Sequence, residues 1–346
     1  MINKIKTPLC DMLGITYPII QAGMGPLDTT DLAAAVSNAG GLGVVSVPFS
    51  GGAEGGAKTI VEYLHKVKRN TDKNFGINTP IGSEKTLSKE ALDTFDAIIN
   101  TAVKEKQKDP ELRKRLVLYI TSGGSPRRHH QKIKDAGFIH FHVVGSVQHA
   151  KVIESLGLDG VIASGYEMGG HTHLADRSIH TFVLVPSIVQ AVKVHVVASG
   201  GICDAATFVA ALAMGAVGIQ MGTRFITTKE CDFHENYKKY IVDAGEYSDI
   251  IVPCFIGPAR VLKSPGAYGC IEAQAKADRG EWSHVKKLEA VLEAWAIAQD
   301  KGDPNGLLAA GQVASRINDI TTVKEVIDSI IEGAVKLIRE LQLKIA

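Results

Sequence analysis

Cysteine is scarce in this chain and follows no pattern. The five cysteines, Cys10, Cys203, Cys231, Cys254 and Cys270, are widely spaced with no Cys-x-x-Cys pair, so neither a zinc site nor a disulfide framework is expected. A reducing compartment fits that usage. No uninterrupted apolar run reaches the roughly 18 residues that a membrane span requires. The opening MINKIKTPLCDMLG lacks the apolar core of a secretion signal. A cytoplasmic protein with no membrane partner is the expectation. Excess charge is missing too: 38 Lys and Arg against 37 Asp and Glu give a formal net charge of +1. That balance gives no electrostatic reason to expect nucleic acid. Several enzyme signatures are also absent, namely a GxGxxG after the first strand, a GxSxG elbow and a Walker A lysine.

The 346 residues are 45% hydrophobic and 22% charged, enough to bury a large core. With balanced charge, a small-molecule substrate is expected. Short runs rich in Val and Ile, without clean polar alternation, recur at intervals that leave room for a helix, as buried parallel strands do. They predict strands at 18–22, 43–47, 75–78, 116–120, 139–144, 160–163, 194–198 and 217–221. Helical periodicity falls between them, for example at 31–39, 148–156 and 205–214, the last opening after Asp204 as N-cap.

Eight β/α units in about 225 residues predict an α/β fold of the TIM-type (β/α)8 barrel, for which roughly 250 residues is typical. A doubly wound open sheet is the competitor. Glycines at the C-terminal ends of several strands favour the barrel. The expected organisation is a barrel over 1–225 and a mostly helical C-terminal extension over 226–346, with helices at 233–244, 282–300 and 323–343. The extension is a candidate lid or homodimer surface. Its GPARVLKSPGA (257–267) reads as a loop from its Pro and Gly, and the charged 104–115 segment reads as a solvated helix face.

The chemistry concentrates at strand ends. GVIASGYEMGGH (160–171) runs an apolar strand into a glycine turn that ends on His171, the candidate general acid or base, since an imidazole titrates near neutrality. His173 prompts a metal reading, but no further ligand at a suitable spacing supports it, and no metal is expected. Glu167 is a candidate for orienting the loop or a histidine. Ser199-Gly200-Gly201 and Gly222-Thr223 end the seventh and eighth strands, where barrels bind phosphate through backbone N–H groups. Arg224 follows the second pair. Such glycines also make ordinary tight β/α turns. Gly23 and Met24, in QAGMG, and the Asn78 amide, in GINTP, are candidates for one face and edge of a flat ligand, or for plain structural roles. Together these segments outline a site suited to FMN.

The ordered motifs QAGMG, AAAVSNAGGLG, GINTPIG, YEMGGH, VVASGGI and GIQMGTRF resemble the nitronate monooxygenase family, formerly 2-nitropropane dioxygenases, which includes flavin-dependent enoyl-acyl-carrier-protein reductases. The likeness covers about 8–244 and resumes at GDPNGLLAAGQ. It implies a barrel with non-covalent FMN and a catalytic histidine at His171. Phosphate contacts are implied at Ser199, Gly200, Gly201, Gly222 and Thr223, and flavin-side residues at Gly23, Met24 and Asn78. It also implies a contact at Gly169 and a C-terminal signature holding Gln312. Met168 stands where the family usually has alanine. Val143 stands where many nitronate monooxygenases carry lysine, as in the enoyl reductase branch. The resemblance implies oxidation of alkyl nitronates with oxygen first. The alternative is an NAD(P)H-dependent reductase of an enoyl thioester or quinone, with NADH or NADPH as reductant. A flavin-binding barrel without catalysis is the third.

Overall fold

The computed structural model describes residues 5–46, 51–82, 87–173, 178–254 and 257–345. Eight parallel strands carry the molecule: β1 (Ile19–Gln21), β2 (Gly43–Ser46), β3 (Phe75–Pro80), β4 (Leu116–Ser122), β5 (Ile139–Val144), β6 (Gly160–Ser164), β8 (His195–Ser199) and β9 (Gly218–Met221). They run β1-β9-β8-β6-β5-β4-β3-β2, and a parallel bridge between Ile20 and Leu42 brings the two ends together. The result is a (β/α)8 barrel with its helices outside. All eight expected strands are present within a residue or two; residue 47 lies outside the described residues.

These segments form strands because both faces are buried. One face fills the barrel with Ile20, Val44, Leu118, Ile120, Phe141, Ile162 and Val197, all fully buried. The helix Pro8–Leu13 plugs the N-terminal end with Leu9 and Leu13, and Thr7 donates to the Val217 carbonyl at 2.5 Å just ahead of β9. The other face packs on the surrounding helices. Among these, Ala205–Ala213 is opened by Asp204 as expected, in a capping box with Thr207.

The region after 225 is helical over Glu235–Val242, Pro265–Asp278, His284–Lys301 and Val323–Gln342, but it also contributes a second sheet. There β10 (Asp249–Pro253) pairs antiparallel with β11 (Pro258–Leu262), and β11 pairs with the two-residue β7 (Gly170–His171). The expectation of a loop over 257–267 is therefore corrected. Pro258 opens a strand and Pro265 occupies the first turn of a helix, two places where a missing N–H is tolerated.

The solvated reading of 104–115 is corrected as well. Lys106 is buried, its ammonium donating to the Arg113 and Leu116 carbonyls at 2.9 and 2.7 Å, and burial lowers its pKa to about 8. Arg115 is buried and donates to the Thr71 and Lys68 carbonyls. No described helix is long and apolar enough to cross a membrane.

Candidate active site

The C-terminal ends of the strands open into a cavity of about 410 Å³. That lies within the roughly 300–1,000 Å³ range of small-ligand sites. Gly23, Met24, Asn78, Gly169, His171, Ser199, Gly200, Gly201, Gly222 and Thr223 all line it; Gln312 does not, although its neighbours Gly311 and Val313 do. Ten residues singled out from the sequence thus converge on one cavity, although they span two hundred positions.

The two glycine turns differ in why glycine stands there. Gly200 and Gly201 have φ of +91° and +74°, which L side chains adopt only with strain. Gly222 has an ordinary φ of −112°, and a Cβ there would meet only Ala22 Cβ at 3.5 Å and Met24 Sδ at 3.6 Å. Gly200, Gly201 and Gly222 bring backbone N–H groups to the cavity lining at these turns. Ser46 Oγ, also on the lining, is buried without a hydrogen-bond partner among the described residues. Such donors are what an oxygen-rich anion requires. Arg224, by contrast, is turned away: its guanidinium meets Thr227 Oγ1 at 3.1 Å and Asp319 Oδ1 at 2.6 Å.

Asn78 is tied to the barrel wall. Its NH₂ group donates to the Ile120 carbonyl at 3.0 Å, and a Cβ on Gly23 would lie 2.4 Å from its Oδ1. The β1 loop therefore rests directly on this amide. Thr223 Oγ1 accepts from Gly311 N–H at 2.9 Å, and Gln312 N–H donates to the Glu167 carbonyl at 3.0 Å. A Cβ on Gly169 would stand 2.4 Å from Gly311 N. The segment ending in Gln312 is thus a brace behind Gly169 and Thr223.

The turn that ends on His171 is held from three sides. Arg260 on β11, 1% exposed, donates through Nε to the Met168 carbonyl at 3.1 Å and through a terminal nitrogen to the Tyr166 carbonyl at 2.9 Å. It is paired with Asp249 on β10. The Glu167 carboxylate accepts from Thr181 N–H at 3.0 Å and Thr181 Oγ1 at 2.8 Å. Burial pushes that carboxyl up, and the Thr181 and His180 hydrogen bonds more than offset it, leaving its pKa lowered. Glu167 accordingly orients the turn. On the third side the Trp295 indole lies over the His171 ring, centroids 5.2 Å apart and planes 11° apart. Burial lowers the His171 imidazole to about 4, so it is neutral at physiological pH.

No motif pointed to Arg260 or Trp295, beyond the rarity of tryptophan, present twice. Trp295 and Gln299, one turn apart on His284–Lys301, both donate to the Gly25 carbonyl, at 3.2 and 3.1 Å. This helix is therefore the wall opposite β7. His149 and His173 add to the polar lining, and among the described residues no lysine or arginine lines the cavity. Val143 occupies the β5 lining position.

The nitronate monooxygenase family profile matches residues 6–333. The chain belongs to the nitronate monooxygenase family. It is an oxidoreductase. It is 29% identical, over 98% of both chains, to the (3aS,4S,5R,7aS)-5-hydroxy-7a-methyl-1-oxo-octahydro-1H-indene-4-carboxyl-CoA dehydrogenase of Rhodococcus jostii (strain RHA1). It is also 29% identical to a probable nitronate monooxygenase of Staphylococcus aureus (strain MRSA252), over 73% of this chain and 76% of the other. Among solved structures it is similar to FabK from Thermotoga maritima, with a TM-score of 0.85 and 30% identity over 99% of this chain and 100% of the other. A nitroalkane oxidase from Streptomyces ansochromogenes shares the fold at a TM-score of 0.76 and 23% identity, over 96% and 99% of the two chains.

Proposed function

We propose that this chain is an FMN-dependent oxidoreductase that uses NAD(P)H to reduce the carbon–carbon double bond of an enoyl thioester. The observation carrying this reading is the electrostatics of the cavity: a neutral His171 and, among the described residues, no lysine or arginine. An anionic nitronate would meet no cation among them. A neutral thioester carbonyl needs only a hydrogen-bond donor, which a neutral imidazole supplies. A histidine lowered to about 4 is also a poor base for taking a proton from a neutral nitroalkane. Two of the relatives that span almost the whole chain support the same direction, since one is named for a CoA thioester and another is FabK.

The residues present fit FMN. Gly201 and Gly222 stand at the lining with backbone N–H groups for a single phosphate, and Ser46 Oγ is a buried hydroxyl with no partner among the described residues. Gly23 and Met24 supply a backbone edge and a thioether at the opposite rim. When bound, the flavin supplies a two-electron relay that takes hydride from NAD(P)H and gives it up at the substrate β-carbon. The chain's own part is to orient and to manage protons. His171 donates its ring N–H to the thioester oxygen, which stabilises negative charge at the α-carbon. Trp295 covers one ring face and keeps water from it. One proton then completes the α-carbon, so that enoyl thioester, NAD(P)H and H⁺ give acyl thioester and NAD(P)⁺.

Nitronate oxidation is the second reading, favoured by the nitronate monooxygenases that match at similar identity. Anaerobic bleaching separates the two. NADH or NADPH should bleach the flavin without oxygen, and crotonyl thioester should restore the colour. Bleaching by propyl-2-nitronate, with no response to either nicotinamide, supports nitronate oxidation instead.

A further inference from the structure

Two histidines on β5, His140 and His142, are fully buried between the sheet and the outer helices. They are two residues apart and lie on the same face of the strand. His140 Nδ1 is 2.9 Å from Nδ1 of His130, a partly exposed residue of the helix Arg127–Asp135. The two rings are 25° apart in plane, with centroids separated by 5.1 Å. With nitrogens this close, that separation means an edge-to-edge hydrogen bond and not a stack. His140 Nε2 is 2.9 Å from Thr121 Oγ1 on β4, and the same hydroxyl is 2.8 Å from His142 Nδ1. His142 Nε2 is buried without a partner among the described residues. The His142 ring packs edge-on against His149, with centroids 5.1 Å apart, and His149 lines the cavity.

We propose that His130, His140, Thr121 and His142 form a proton relay through the barrel wall, from the outer surface to the cavity edge at His149.

Hydrogen-bond arithmetic supports it. Burial lowers the pKa of His140 to about 2 and of His142 to about 3, each with a further contribution from neighbouring histidines, and His130 is lowered as well. Each ring is therefore neutral, with one N–H and one acceptor nitrogen. Thr121 Oγ1 also lies 3.4 Å from the Phe141 carbonyl, a longer contact than its two histidine bridges. Two arrangements run one hydrogen across every bridge of the chain. In one, His130 donates to His140, His140 to Thr121 and Thr121 to His142, leaving the hydrogen of His142 on Nε2. In the other, each of these bonds is reversed. Passage of one proton converts the first into the second: the Nε2 hydrogen of His142 leaves, the three bridging hydrogens each move one atom along, and solvent protonates His130 Nε2. No member is left charged, and the reverse sequence carries a proton outward. A metal role for the cluster has no support, because no three His, Cys, Asp or Glu among the described residues converge to hold an ion. The destination rests on the proposed reduction, in which the α-carbon needs one proton per turnover.

Thr121→Val keeps the β-branched shape and removes the bridge; Thr121→Ser restores it. The first readout is exchange of the His142 ring hydrogen with D₂O, followed by NMR in protein labelled with ¹⁵N-histidine, and it requires no turnover. A relay makes this exchange slower in Thr121→Val by about 10²-fold or more, the low end of what a positioned proton donor contributes, and Thr121→Ser recovers it. A hydroxyl that only fills space predicts unchanged or faster exchange, because loosening the wall admits water; that result overturns the relay. The second readout is the solvent deuterium isotope effect on crotonyl-thioester reduction by the FMN-loaded protein. It should rise in Thr121→Val and fall back on addition of imidazole buffer, with flavin content unchanged. If Thr121→Val does not fold, His130→Phe at the partly exposed entry decides by the same exchange measurement. A protein that shows the exchange effect but reduces no thioester contradicts the proposed function and leaves the relay standing.

Discussion

The His171 imidazole and the Trp295 indole lie face to face, 124 residues apart in the chain, with centroids 5.2 Å apart and planes 11° apart. One comes from the β7 edge of a small sheet, the other from the helix His284–Lys301. Removing the indole should wet the histidine. Trp295→Ala should cost about 3–5 kcal/mol, the range for deleting a buried tryptophan. It should also raise the His171 pKa from about 4 toward its ordinary 6.5, because burial is what holds it down. Trp295→Phe keeps an aromatic face but loses the bond to the Gly25 carbonyl, a net loss of about 1 kcal/mol. An NMR titration of the His171 ring that gives the same pKa in Trp295→Ala as in wild type would show that the indole is not what dries the site.

Arg260 is expected to matter twice. Arg260→Met leaves the partly exposed Asp249 without its cation, and the cost should fall below the about 3–5 kcal/mol of breaking a fully buried pair. It also releases the Met168 and Tyr166 carbonyls, so the turn before His171 should loosen. Adding Asp249→Leu should recover most of the stability without recovering turnover. Recovery of both by the double variant would mean that Arg260 only balances a charge and does not position the turn.

Stability should fall steeply in mild acid. His129, His140, His142 and His171 are lowered to about 4, 2, 3 and 4 from 6.5, each chiefly by burial. Between pH 6.5 and about 4 the unfolded chain binds protons that the native state does not, so stability rises with pH across that window and is lost as pH falls. Each proton contributes about 1.4 kcal/mol per pH unit. Denaturant melts at pH 7, 6, 5 and 4 should therefore show the largest drop below pH 6.5. A flat profile down to pH 5 contradicts the buried neutral assignment.

Gly222→Asp tests the phosphate position. The native backbone has an ordinary φ there and room for a Cβ, so the variant should fold with a near-normal melting temperature. Its carboxylate would sit beside the proposed phosphate, and the protein should purify largely without flavin. Full flavin content in Gly222→Asp moves the phosphate elsewhere.

The barrel was legible because parallel strands buried on both faces leave continuous apolar runs, as in GVIAS of β6 and HVVAS of β8. Ten of the cavity residues were legible for a related reason: they cluster where those runs end in glycine. The second sheet was not legible. The pairing of Arg260 with Gly170 joins residues 90 positions apart, and the flanking Pro and Gly resemble a loop. Lys106 and Arg115 were misread because a charge run looks solvated until their partners, mostly backbone carbonyls, are known. The spacing of His140 and His142 was the visible signal for the buried polar layer, two histidines on one face of an otherwise apolar strand.

On the proposed function, a neutral His171 anchors a thioester carbonyl beside a flavin. Anaerobic stopped-flow on wild type and His171→Ala, following flavin bleaching by NAD(P)H and then its return on mixing with crotonyl thioester, decides this. The two proteins should bleach at similar rates, since the phosphate donors lie on other strands. Recolouring should be about 10²–10⁴ slower in His171→Ala, the range for a positioned proton-handling group. Wild-type flavin that crotonyl thioester does not recolour, or recolouring at equal rates in the two proteins, would contradict the account.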